Sequence, residues 1–128
     1  MSRKPYYILV CGGREFKDAD YLAEVLHDTL MTVRTHFPDQ RMVIVHGDGR
    51  GADKLAGAWA NKFNIPCFKI PAEWDLWDKG AGMMRNQQML DWVPVDRVIA
   101  FDGGPGTADM CKRSTLKHIP VTHAVHDF

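Results

Sequence analysis

Short runs of consecutive apolar residues alternate along this chain with longer stretches in which apolar residues return every three or four positions. The run Tyr6–Val10 (YYILV) reads as a first strand, stopped by Gly12-Gly13. Asp18 or Asp20 can cap a helix to about His36, with Leu22, Val25, Leu26, Val33 and Phe37 on one face, ended by Pro38 and Asp39. Met42–Val45 (MVIV) predicts a second strand, and Gly51–Phe63 a second helix presenting Leu55, Ala56, Trp59, Ala60 and Phe63. Pro66–Ile70 is a weaker third strand, and Ala72–Gly82 reads as irregular. A third helix is predicted over about Met83–Trp92, a fourth strand over Arg97–Phe101 (RVIAF), a fourth helix over Thr107–His118 and a fifth strand over Pro120–Val125.

Strands that alternate with helices need crossover connections, which implies a mainly parallel sheet. The unbroken apolar character of YYILV, MVIV and RVIAF fits strands covered on both faces. The expectation is an α/β fold: a single Rossmann-like three-layer domain over 1–128, with a mainly parallel five-stranded sheet. In such sheets ligands bind beyond the carboxyl ends of the strands, where the connections part to opposite faces.

Three of the five strands end in glycine-rich turns: Cys11-Gly12-Gly13-Arg14-Glu15-Phe16, His46-Gly47-Asp48-Gly49-Arg50-Gly51-Ala52-Asp53 and Phe101-Asp102-Gly103-Gly104-Pro105-Gly106-Thr107. All three follow strands, so a parallel sheet brings them to one edge. Glycine lets backbone N–H groups approach a phosphate closely, and helix starts add unpaired N–H groups and a positive dipole end. The plainer reading is that each glycine makes a tight turn. No G-x-G-x-x-G is present, and the second loop lacks the Gly-Lys-Ser/Thr of a P-loop, which argues against hydride transfer and ATP hydrolysis.

Composition narrows the classes of function. Sixteen basic residues balance sixteen acidic ones in 128 residues. A neutral chain makes nucleic acid an unlikely partner, because non-specific binding to it is driven by excess positive charge. The longest strongly apolar run, Tyr6–Cys11, falls far short of the ~20 residues of a membrane span. The start reads as a strand, not as a signal peptide, and three cysteines without Cys-x-x-Cys predict neither a disulfide framework nor a zinc site. A reducing cytoplasm is the expected location. No cofactor and no metal site are expected: His123 and His126 alone approach a metal-ligand spacing, and it does not bring side chains together on a strand.

Candidate chemistry gathers at the turns. Arg14 can clamp a phosphate, or pair with Glu15 or Asp18, and Arg50, between two glycines, can clamp a phosphate as well. Asp53, at the start of the second helix, either steadies the helix dipole or bonds a ribose hydroxyl. Arg85 and Asn86 open the third helix as a phosphate or ribose contact, or a solvated face. Trp74 and Trp77, in the polar stretch after the third strand, can stack on a base or form a lid, or make an oligomer contact. Cys11 reads as a small buried hydrophobe. Met83, Met84 and Met89 read as core or interface filling, and the Met- and Trp-rich stretch from Trp74 to Trp92 predicts a homo-oligomer.

The run Gly103-Gly104-Pro105-Gly106-Thr107 resembles the Gly-Gly-x-Gly-Thr signature of the SLOG superfamily, which includes the Lonely Guy phosphoribohydrolases and the DNA-processing protein DprA. The nearer resemblance is to its YspA-like, YpsA-related branch. It is carried by Gly12-Gly13-Arg14-x-Phe16, His46-Gly47 with Arg50-Gly51-Ala52-Asp53, Ala72-Glu73-Trp74-Asp75, Gly82 with Arg85-Asn86, and Gly104–Met110. These motifs run in order from about residue 8 to 121. The resemblance implies a nucleotide-type ligand over the three loops, held by Gly12, Gly13, Arg14, Gly49, Arg50, Gly51, Asp53, Arg85, Asn86, Gly103, Gly104, Gly106 and Thr107. Lonely Guy enzymes carry a catalytic Glu three residues after the Thr of the signature; here that position is Met110, and Asp109 is one residue, or about 100° of helix, earlier. Two readings follow. In one, the ligand's N-glycosidic bond is hydrolysed, with Glu15, Asp53 and Asp109 as candidate carboxylates and Glu15 and Asp109 the best placed to face the sugar's anomeric carbon. In the other, the domain is a non-catalytic sensor or sequestering module for a signalling nucleotide. Single-stranded DNA binding is a weaker third reading, supported by the tryptophans and opposed by the neutral charge.

Overall fold

The structure, a computed structural model, describes residues 3–71 and 81–124. Five strands form one sheet in the order β3-β2-β1-β4-β5, every neighbouring pair parallel. They are β1 (Lys4–Cys11), β2 (Gln40–His46), β3 (Cys67–Lys69), β4 (Arg97–Phe101) and β5 (Val121–Ala124). The helices are α1 (Ala19–His36), α2 (Ala52–Lys62), α3 (Ala81–Trp92) and α4 (Pro105–Leu116).

Strand side chains alternate between two faces, and the burial shows that alternation directly. Ile8 and Val10 of β1, Met42 and Ile44 of β2 and Ile99 and Phe101 of β4 share one core with Leu22, Leu26 and Leu30 of α1 and Ala56, Trp59 and Ala60 of α2. Their neighbours Leu9, Cys11, Val45, Val98 and Ala100 share the other with Met89 and Leu90 of α3 and Met110 of α4. Two cores on two faces are what a three-layer Rossmann-like sheet requires, and they explain why the strand sequences lack a polar stripe. Each fully buried aliphatic side chain here contributes roughly 1.5–3 kcal/mol through its removal from water.

Helix ends follow local chemistry. Asp18 caps α1, its carboxylate accepting from Tyr21 N at 2.9 Å. Phe37, expected on the helix's buried face, lies just past its end. There its ring stacks on Tyr6 at 4.9 Å, because the following Pro38 disfavours helical backbone. The fourth helix begins at Pro105, two residues before the expected Thr107. Proline is favoured in the first turn of a helix, where its missing N–H has no intrahelical partner to lose.

The chain leaves β1 and β2 for helices on one face, and β4 for a helix on the other. Because β1 and β4 are adjacent, their outgoing loops part, and a crevice opens beyond their carboxyl ends.

Candidate functional site

A cavity of about 570 Å³ occupies that crevice, within the usual range for a small-molecule site. The loops after β1, β2 and β4 all contribute to its wall, together with the start of α3. Of the residues singled out in the sequence, Gly12, Gly13, Arg14, Gly49, Arg50, Asp53, Arg85, Asn86, Gly104, Gly106 and Thr107 line it. Gly103 and Glu15 line instead an adjoining cavity of about 440 Å³. Trp74 and Trp77 lie outside the described residues.

The glycines of the three loops fall into two groups. Most are required by the protein's own packing. A Cβ on Gly12 would sit 2.6 Å from that of Ala52, and one on Gly13 2.9 Å from the Asp102 carbonyl oxygen. One on Gly47 would overlap the Arg85 guanidinium, and one on Gly103 the Thr107 hydroxyl. Gly51 has φ +80°, and a Cβ there would overlap the Gly13 carbonyl oxygen. Gly104 and Gly106 differ: nothing lies within 4 Å of the place their Cβ would take. Both stand at the start of α4, which no side chain caps, so its first N–H groups carry the positive end of the helix dipole toward open space.

Polar groups in the wall are held by a chain of hydrogen bonds. Arg85 Nη1 donates to the Gly47 carbonyl at 2.6 Å and Nε to Asn86 Oδ1 at 3.2 Å. Burial pushes the pKa of this guanidinium down, with the Asp53 carboxylate opposing the shift. Asn86, itself buried, donates from Nδ2 to the Gly106 carbonyl at 3.1 Å and to Asp109 Oδ2 at 3.0 Å. Asp109 also pairs with Arg113, 2.8 Å away, and Arg113 donates to Gln87 at 2.7 Å. Asp109 thus ties α3 to α4 and is not among the residues lining the cavity.

Asp53 is the buried carboxylate of the wall, 8% exposed, and accepts from Gly49 N at 3.1 Å. Burial pushes its pKa up, against the lowering effect of the Gly49 and Gly47 N–H groups and Arg85. Glu15 reaches across the loops to Arg50 at 2.9 Å, with both side chains largely in solvent. Cys11 is buried beneath the site. A hydrogen bond with the Cys111 thiol, and then burial, push its pKa well up, so it stays an unreactive thiol. Among the described residues no three His, Cys, Asp or Glu side chains come together in a manner suited to a metal ion.

Further residues that line the cavity were not singled out in the sequence as site residues, Met89, Met110 and Asp48 among them. Met89 and Met110 line the cavity with apolar surface, and Asp48 joins its wall with φ 60°, a left-handed conformation that Asp tolerates better than most residues. The Gly-Asp-Gly spacing at 47–49 was the available signal for Asp48; Met89 read as core or interface filling, and Met110 as the position where Lonely Guy enzymes carry their Glu.

A family model described as the YspA, cpYpsA-related SLOG family matches residues 6–77. The Gene 61 protein of Mycobacterium phage D29 is 32% identical over 121 residues, covering 89% of this chain and 92% of that protein. No solved structure matches the chain.

Proposed function

The chain belongs to the YspA, cpYpsA-related SLOG family, and on that premise we propose that it binds a nucleotide or nucleotide-derived small molecule in the cavity between the three loops. The observation that carries this reading is the open space at Gly104 and Gly106. No packing requirement explains two glycines there. Close approach of a ligand phosphate to the first N–H groups of α4 does. Arg14, Arg50 and Arg85 add positive charge to the same wall, and Met89 and Met110 offer an apolar bed for a base or sugar. Gly104→Val should cut nucleotide affinity at least about tenfold, a loss of about 1.4 kcal/mol, with an unchanged melting temperature. Equal affinity of the two proteins in calorimetry would refute the role.

A second reading, hydrolysis of the ligand's N-glycosidic bond, is favoured by Asp53. In this proposal water adds at the anomeric carbon and the C–N bond breaks. The electron pair leaves with the base, which takes up a proton. A buried carboxylate in the wall stabilises the cationic sugar and orients the water. Asp53 suits that task better than Glu15, which is drawn to Arg50 in solvent, or Asp109, which is held by Asn86 and Arg113. Mass spectrometry after incubation with nucleoside mono- and diphosphates and ADP-ribose-type compounds distinguishes the two readings: hydrolysis releases free base, and a sensor or sequestering module leaves the ligand intact.

A further inference from the structure

His46 ends β2 directly under the second loop, and it is 3% exposed. Its Nδ1 accepts the backbone N–H of Asp48 at 3.0 Å. An acceptor nitrogen carries no proton, so the ring is neutral with its hydrogen on Nε2. The Nε2 edge lies against Gly57 of α2, where a Cβ would stand only 2.9 Å from it. The bond therefore fixes a turn in which Asp48 takes φ 60°, and a non-glycine residue stays in that region only when its surroundings hold it there. The residues on either side are tied as well: Gly47 through its carbonyl to Arg85, and Gly49 through its N–H to Asp53.

We propose that His46 is a positioning residue whose neutral ring holds the second glycine loop in its ligand-binding shape, and whose protonation releases that loop. The proposal rests on the reading of the cavity as a nucleotide site. A proton on Nδ1 removes the lone pair that Asp48 N–H needs, and two donors then face each other. Asp48 then keeps only its carboxylate's pair with Lys54, 2.7 Å away, which does not fix its backbone, so it relaxes from the left-handed region and draws Gly47 and Gly49 with it. The charged groups facing the ring are Asp48 of the loop, Lys54 of α2, Lys69 of β3 and Arg85 of α3. Burial is the largest influence on the ring and pushes its pKa below the ordinary value; the three cations act in the same sense and Asp48 opposes them. The loop is thus held at neutral pH and released in acid.

Two measurements test this. In NMR of the ligand-free protein, the ring should be the Nε2–H tautomer at neutral pH, and the Asp48 amide resonance should titrate with the ring's own midpoint. In calorimetry with AMP, wild-type affinity should fall about tenfold between about pH 7.5 and about one pH unit below the ring's NMR midpoint, beyond the fall seen in His46→Asn. That variant keeps an acceptor oxygen near the place of Nδ1 but does not titrate, and the phosphate's own ionisation affects both proteins equally. Gly57→Ala, which crowds the ring, should weaken AMP binding at neutral pH. An Nδ1–H tautomer, an Asp48 amide indifferent to ring protonation, or identical pH profiles in wild type and His46→Asn would overturn the proposal. Failure of AMP to bind at any pH would count against the nucleotide reading, and the ring and amide titrations would still decide the role of His46.

Discussion

Asp53 shows what the site demands of a single residue. A carboxylate whose pKa is raised in the fold is penalised in its ionised form, so it lowers stability above its unfolded pKa of about 3.9. That penalty disappears as the pH falls through the raised folded value. Asp53→Asn keeps an acceptor for Gly49 N–H and removes the charge, so at neutral pH its melting temperature should equal the wild type's or exceed it by about 1–4 °C. Nucleotide affinity or base release should fall in the same variant. A drop in melting temperature on calorimetric scanning would show that the charge is a structural asset. Glu15→Gln removes only a solvent-screened pair with Arg50 and should move the melting temperature by less than about 1 °C. Residue chemistry was partly legible in the sequence. Arg14, Asp53 and Asn86 could be placed at the loops because each stands next to a turn. Whether a carboxylate faces the cavity or a neighbouring cation depends on pairs distant in sequence, such as Asp109 with Asn86, and no local pattern reveals those.

At the scale of elements, the α3–α4 seam sets the position of the phosphate-facing helix start. Asn86 grips the Gly106 carbonyl, Asp109 grips Asn86 and Arg113, and Lys117 of the turn after α4 reaches the Leu90 carbonyl and Asp91 of α3. Asp109→Ala leaves the Asn86 amide with the Gly106 carbonyl alone and the half-buried Arg113 with Gln87 alone, and should destabilise the fold by about 1–3 kcal/mol in chemical denaturation. A loss much below that would mean that solvent already supplies these partners. The five strands and four helices of the described residues were readable: β1, β2 and β4, buried on both faces, and helices buried on one carry different periods, while the more exposed edge strands β3 and β5 were placed by their order in the alternation with helices. The start of α4 was misplaced by two residues, since Pro105 was read as part of the turn when its fixed φ makes it a helix opener.

For the whole molecule, the order β3-β2-β1-β4-β5 is what turns three separate glycine turns into one cavity wall. Parallel connections were enough to place the turns on one edge, and their meeting at the β1–β4 junction follows from strand order, which the sequence pattern does not encode. Outside that cavity, Met84, Trp92 and Leu116 expose apolar side chains, Trp92 by 62% and Leu116 by 71%. Trp92 and Leu116 end the two helices that share the α3–α4 seam. We propose that the chain self-associates, and light scattering at tens of micromolar should give at least twice the 14.5 kDa chain mass. A mass of one chain would refute self-association. The central claim is that a nucleotide's phosphate meets the start of α4 at the unobstructed glycines. Titration calorimetry of wild type and Gly104→Val with AMP tests it most directly, with thermal melts of both proteins as the control. The account predicts saturable binding by the wild type, at least about tenfold weaker binding by the variant, and matching melts; equal affinities in two equally stable proteins would contradict it.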